Sequence, residues 1–317
     1  MRYCAFSLLH AEHGSHGSLA DLLSQKLGRF GEFIDEVIFH GLIDTLKLVL
    51  FLFLTYLLME FIEHKASDKL KSMVMSGGRF GPALGGLFGA VPQCGFSAAA
   101  ANLYTGRVIT LGTLVAVFLS TSDEMLPILL AGNMKIGTVL LIILYKTVVG
   151  ILVGFAIDFA MKLMKRDKEE INIDEICDAD DCHCERGILP SALHHTVSVS
   201  LFIFIVTVCV NALLFFVGDE ALSGSLLSLP VVSHILAGLV GLIPNCASSV
   251  ALTRLAMSGV IPTGAMMSGL FAGAGVGLLI LFRMNRRPKE NITITVILLI
   301  VGVLFGLLAD LIGLSLV

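Results

Sequence analysis

Apolar positions run almost unbroken through four stretches of the chain, at about residues 42–63, 136–162, 196–217 and 291–313. Each is long enough to cross a hydrocarbon layer of ~30 Å as one helix, which takes about 20 residues. Four further apolar runs lie between them, 80–104, 107–132, 232–256 and 260–282, and Gly, Pro and polar residues interrupt these. The pattern predicts an all-α integral membrane protein built from whole helices and broken ones.

The broken runs are related to each other. Residues 84–158 align with 236–310 without a gap at a shift of 152 positions, and 22 of the 75 pairs are identical. The matches include Pro92/Pro244, Cys94/Cys246, Ser97/Ser249, Gly112/Gly264, Asn133/Asn285, Gly150/Gly302, Gly154/Gly306 and Asp158/Asp310. Apolar composition alone gives chance matches of Leu, Ile and Val. It does not bring Pro, Cys, Asn and Asp into one register. At a shift of 151 the likeness extends into the leading helices, pairing Thr45 with Thr196 and Phe51 with Phe202.

Basic residues set the expected orientation. The loop after the first spanning run carries Lys65, Lys69, Lys71 and Arg79, whereas its counterpart at 218–230 carries none. Arg283, Arg286, Arg287 and Lys289 crowd the last loop of the second half, against Lys135 alone in the first. Excess Lys and Arg mark the cytoplasmic side, so corresponding loops fall on opposite sides. The halves read as two inverted repeats of about five helical segments each, with Pro-interrupted half-helices or re-entrant hairpins at the midplane. The expected organisation is a His-containing N-terminal tail (1–33), membrane repeat 1 (34–163), a cytoplasmic Cys/His/Asp-rich linker (164–190) and membrane repeat 2 (191–317). Both termini are expected outside.

Composition agrees. Of 317 residues 56% are hydrophobic and 15% charged, and the mean hydropathy is +0.91, beyond the range of soluble domains. The first 30 residues lack a basic start and a long apolar core, so no secretory signal is expected. No nucleic-acid signature is present. The expected partners are the bilayer and a small substrate, with homo-oligomerisation left open. Seven cysteines, with Cys94, Cys209 and Cys246 inside apolar segments, do not read as a disulfide framework.

The candidate chemistry sits in the repeated triplets, AVPQCGFSAAA at 90–100 and LIPNCASSVAL at 242–252. Pro92 removes one helical hydrogen bond and pushes the preceding residue out of helical geometry. Broken backbone at membrane depth is tolerated where it is buried in protein or lines a watery cavity. Cys94 then starts a new helix near its positive end, which favours the thiolate. Gln93, Cys94 and Ser97 from one half, with Asn245, Cys246, Ser248 and Ser249 from the other, are expected to converge on one midplane site. The alternative is a pair of structural kinks with cysteine as a small filler.

Charge appears in the second broken run, FLSTSDEMLPILL at 118–130. Asp123 and Glu124 there suit an ion pathway or proton relay, because carboxylates inside a membrane are costly. Lys146, mid-helix in ILYKTVVG, is either their structural ion-pair partner or part of the coupling. Arg254 reads as a counter-charge in the cavity or as an interfacial snorkelling residue. Asp44 and His195 occupy matching helix-entry positions as gates, ligands or caps. Two peripheral clusters suit transition metals: His10, His13 and His16 in the tail, and Cys177, Cys182, His183 and Cys184 in the linker.

VPQCGFSAAAANLY, STSDEMLP, the CHCERG linker and LIPNCASSVALTRL together resemble a bacterial family of heavy-metal exporters with about ten transmembrane segments, labelled manganese transporters or arsenic efflux proteins. The likeness covers nearly the whole chain. It implies a multi-pass inner-membrane protein that exports a metal or metalloid ion, and its ten helices match five per half.

No G-x-x-x-x-G-K-[ST] sequence occurs, so the expectation is a gradient-driven, proton-coupled transporter without a cofactor, rather than an enzyme. Manganese would favour the carboxylates and Asn245; the cysteines favour a softer metal or trivalent arsenic. The competing expectations are a transporter of an organic or oxyanionic substrate held at half-helix N-termini, an intramembrane enzyme with Cys94 as nucleophile, and a channel.

Overall fold

The computed structural model describes residues 39, 42–43, 45–46, 49–50, 52–57, 80–91, 94–121, 125–132, 134–163, 188–217 and 230–314. Among the described residues all regular structure is helical. Five helices follow one another in the first half: α1 (Gly81–Gly89), α2 (Cys94–Thr105), α3 (Leu111–Ser120), α4 (Met125–Ala131) and α5 (Ile136–Leu163). Then come α6 (Ile188–Val217), α7 (Pro230–Gly241), α8 (Cys246–Met257), α9 (Thr263–Ala272), α10 (Val276–Met284) and α11 (Pro288–Leu311). The 152-residue shift carries α1–α5 onto α7–α11 in the same order.

Local chemistry sets the boundaries. Thr110 caps α3 by accepting from the backbone N–H of Thr113 at 3.1 Å. Proline opens α11 and lies in the first turn of α1, where no intrahelical donor is lost. The helix expected at 196–217 begins earlier, at Ile188, because Pro190 also falls in a first turn and costs it nothing. Among the described residues five segments are long and apolar enough to cross a membrane: Leu111–Ala131, Ile136–Leu163, Ala192–Cys209, Thr263–Met284 and Pro288–Leu311. The first and fourth contain the breaks between α3 and α4 and between α9 and α10. Gly275, with φ of +52°, allows the chain to turn into α10.

Packing inside each half follows one plan. Small residues let backbones touch where no large apolar side chain could fit. A Cβ on Gly150 would lie 2.9 Å from the carbonyl oxygen of Ala116, and one on Gly302 would lie 2.7 Å from that of Ser268. Gly154 and Gly306 meet the carbonyls of Gly112 and Gly264 in the same way, at 2.6 and 2.5 Å. Asp158 Oδ1 accepts from the N–H of Gly112 at 2.9 Å, and Asp310 Oδ1 from that of Gly264 at 2.6 Å. Both carboxylates therefore sit at helix N-termini, where the exposed N–H groups favour negative charge. The second oxygens differ: Thr110 donates to Asp158 Oδ2 at 2.8 Å, while Asp310 Oδ2 stands 3.1 Å from His234 Nε2.

Between the halves the packing is crossed. α2 lies against α10 and α8 against α4, while α3 meets α9 at the centre. α2 is thus held chiefly by the other half, whereas α8 packs against α9 of its own half as well as against α4.

Candidate functional site

A cavity of about 30 Å³ opens at the breaks after α7 and α9, room for about one small ion or water. Asn245, Cys246, Ser248 and Ser249 line it from the start of α8, and Gly269, Leu270, Gly273 and Gly275 from the end of α9. Thr121 and Met125 close it from the first half, and Gly241 from α7. Four of the seven residues expected to converge line this cavity, all of them from one short segment of the second half.

Their hydrogen bonds shape what the cavity can hold. Ser248 donates to the carbonyl of Asn245 at 2.8 Å, and Ser249 to that of Cys246 at 2.8 Å. A hydroxyl has one proton to give, so each of these oxygens is left as an acceptor. With the Cys246 thiol, the Met125 thioether and the Asn245 amide, the donor set suits a cation that accepts sulfur as well as oxygen. Among the described residues no three His, Cys, Asp or Glu side chains converge as a metal group.

Lys146 stands behind this wall. It is fully buried in α5, and its Nζ donates to the carbonyl oxygens of Thr121 at 2.5 Å and Leu270 at 2.8 Å, both cavity-lining residues. It also lies 5.6 Å from the ring centre of Phe271. The ammonium thus fixes broken backbone from both halves. Sequence reasoning selected the residue and missed these acceptors, since carbonyls carry no sequence signal.

The chain matches, over residues 34–220, a family described as "Putative, 10TM heavy-metal exporter". The chain belongs to this family. The matched segment covers more than half of the sequence and takes in α1–α6. The heavy-metal exporter family makes the chain a multi-pass membrane protein of metal-transport type. No curated protein and no solved structure matches it.

Other expected residues of this exporter lie elsewhere. Ser97 is buried in α2, away from the cavity and against Gly277 of α10. His195 is buried in α6 and stacks on Tyr56, ring centres 5.2 Å apart, while Tyr56 donates to Asn102 Oδ1 at 3.1 Å. Arg254 is in the last turn of α8, partly exposed, and does not line the cavity. Gln93, Asp123, Glu124, Asp44, His10, His13, His16, Cys177, Cys182, His183 and Cys184 lie outside the described residues, as does the side chain of Cys94.

A further polar cluster escaped the sequence reading. Arg107, after α2, pairs with Glu290 in the first turn of α11, and Tyr104 also donates to Glu290. Asn285 donates to Glu290 at 3.2 Å and to Asn291 at 2.6 Å. The available signal was the repeat register, which sets Arg107 against Gly259.

Proposed function

We propose that the chain is a gradient-driven, proton-coupled exporter of a heavy-metal or metalloid ion, working by alternating access between two oppositely oriented halves. The observation that carries this reading is the cavity between the halves, at the repeated breaks, lined by thiol, thioether, amide and hydroxyl groups. Cys246, Asn245, Ser248 and Ser249 form one wall. Gln93, Cys94 and Ser97 are the repeat-related counterpart, and Asp123 and Glu124 are the proton carriers.

The opposite orientation is supported by contacts described above. Asp310, near the end of α11, touches Gly264 at the start of α9. Glu290, at the other end of α11, touches Arg107, which lies in the short turn leading into α3 at Leu111. The starts of α3 and α9 therefore lie toward opposite ends of α11. Inverted halves around a midplane site are the arrangement of secondary transporters. The positive-inside pattern adds an inner-membrane location with the 164–190 linker in the cytoplasm and both termini outside.

The test is ion flux in proteoliposomes with and without an imposed proton gradient, for the full chain and for Cys246→Ala and Asn245→Ala. Flux that follows the gradient and falls at least tenfold in the variants supports the reading. Flux indifferent to both variants would remove the site; flux indifferent to the gradient would remove the coupling.

A second reading has one observation in its favour: the N-terminus of α8 opens on the cavity, and such ends hold anions. Metal-independent flux of an oxyanion in the same vesicles would select it.

A further inference from the structure

At the end of the molecule where α2 finishes, four side chains tie the halves together. Arg107 grips Glu290 with both prongs, Nη1 to Oε1 at 3.2 Å and Nη2 to Oε2 at 3.0 Å. Paired guanidinium–carboxylate bonds of this kind are stronger and more directional than single ones. Tyr104 Oη donates to Oε1, and Asn285 Nδ2 to Oε2 at 3.2 Å. The Arg107 side chain is 6% exposed and that of Glu290 27%, so the guanidinium is buried while the carboxylate still reaches water.

Arg107 reaches this position from a strained backbone. Its φ is +58°, in the left-handed region that side chains avoid. The repeat-related residue is Gly259, with φ of +73°, and glycine adopts that turn without strain. The turn thus belongs to the repeat, whereas the arginine belongs to one end of it. Glu290 corresponds to Thr138, so the other end has neither partner of the pair. Strain retained at one of two equivalent turns marks a place where something else holds the chain.

The same asymmetry reaches the centre. Met125 and Ser249 both line the cavity. Their repeat counterparts, Gly277 and Ser97, are in contact instead: a Cβ on Gly277 would lie 2.7 Å from the carbonyl oxygen of Ser97. α2 packs closely along α10, while the equivalent contact between α8 and α4 is sparser. One of two repeat-related positions is open and the other is shut, and the shut one lies on the helix pair next to Arg107 and Glu290.

We propose that the Arg107–Glu290 pair, with Tyr104 and Asn285, is a gate that locks the Ser97–Gly277 side. Transport exchanges the two arrangements: the pair breaks, a second cavity opens between Ser97 and Gly277, and the one at Ser249 and Met125 closes. This inference rests on the transporter reading above, and it assigns a role to residues outside the ion site.

The test places a reporter thiol at the shut position, Ser97→Cys, in the full chain. Right-side-out and inside-out membrane vesicles are treated with a membrane-impermeant maleimide, and labelling of residue 97 is located by peptide fragment mass. With the pair intact the thiol stays unlabelled from both sides. Arg107→Gly, which keeps the turn, and Glu290→Gln each raise its labelling rate at least tenfold, from one face only. The reversed pair, Arg107→Glu with Glu290→Arg, brings labelling back toward the starting rate. Residue 97 remaining closed in both single variants, or labelling equally from both faces, overturns the gate. Metal flux, measured in parallel vesicles of the proteins that keep Ser97, separates the two claims. One-sided labelling without flux in the unlocked or parent protein sinks transport and leaves the gate; parent-level flux in Arg107→Gly with residue 97 still closed sinks the gate alone.

Discussion

Lys146 Nζ donates to the carbonyl oxygen of Leu270 at 2.8 Å, across the boundary between the halves, and to that of Thr121 at 2.5 Å within its own half. Both carbonyls belong to cavity-lining residues. Removing the ammonium leaves buried acceptors without this donor, at a cost of about 1–3 kcal/mol. Lys146→Leu, which installs the residue found at repeat position 298, is expected to lower the thermal midpoint in detergent and to abolish export. Midpoint and flux equal to the parent's would show that the lysine holds neither carbonyl in place.

Cys246 supplies the thiol of the cavity. Cys246→Ser preserves size and exchanges sulfur for oxygen, so it alters softness more than shape. Equilibrium binding of arsenite or zinc to the purified protein is expected to weaken at least tenfold, with manganese binding little changed. An equal loss for all three ions would instead indicate damage to the fold of the break.

The glycine contacts give a paired prediction. Gly112→Ala and Gly264→Ala each drive a methyl group into the carbonyl of Gly154 or Gly306 and into the carboxylate of Asp158 or Asp310. Overpacking of this kind costs about 1–3 kcal/mol. Because the repeat places the same atoms at both positions, the two variants should lower the thermal midpoint by similar amounts. A large effect at one position and none at the other would contradict the equivalence of the halves.

Asp158→Asn and Asp310→Asn test the helix-terminal carboxylates. Each loses a negative charge at a helix N-terminus, worth about 0.3–1 kcal/mol when exposed and up to ~2 kcal/mol when partly buried. Asp310→Asn should cost more, since it removes a carboxylate facing the His234 imidazole, whereas Asp158→Asn disturbs a hydrogen bond from the neutral Thr110 hydroxyl. The comparison is made by denaturation of the two variants in the same detergent.

The order of the helices was legible in the sequence because apolar run length and Gly/Pro breaks act locally. The start of α2 at Cys94 and of α8 at Cys246 follows from proline two residues earlier. The 152-residue register matched Gly112 with Gly264 and Asp158 with Asp310, but carried no sign that each glycine N–H meets its aspartate. What could not be read was which surfaces of the two halves meet. Ser97 and Ser249 are identical in the repeat, yet only Ser249 faces the cavity, because their neighbours across the boundary are Gly277 and Met125. Arg107 and Glu290 are 183 residues apart, and nothing local in either sequence announces the other.

Two identical halves, related by a twofold axis, would give a protein whose two conformations had the same energy. The chain's halves are not identical. Gly277 lets α2 and α10 approach backbone to backbone, whereas its counterpart Met125 lines the cavity. On the proposed exchange between two arrangements, divergences such as Met125/Gly277 and Arg107/Gly259 give the empty protein a preferred resting side.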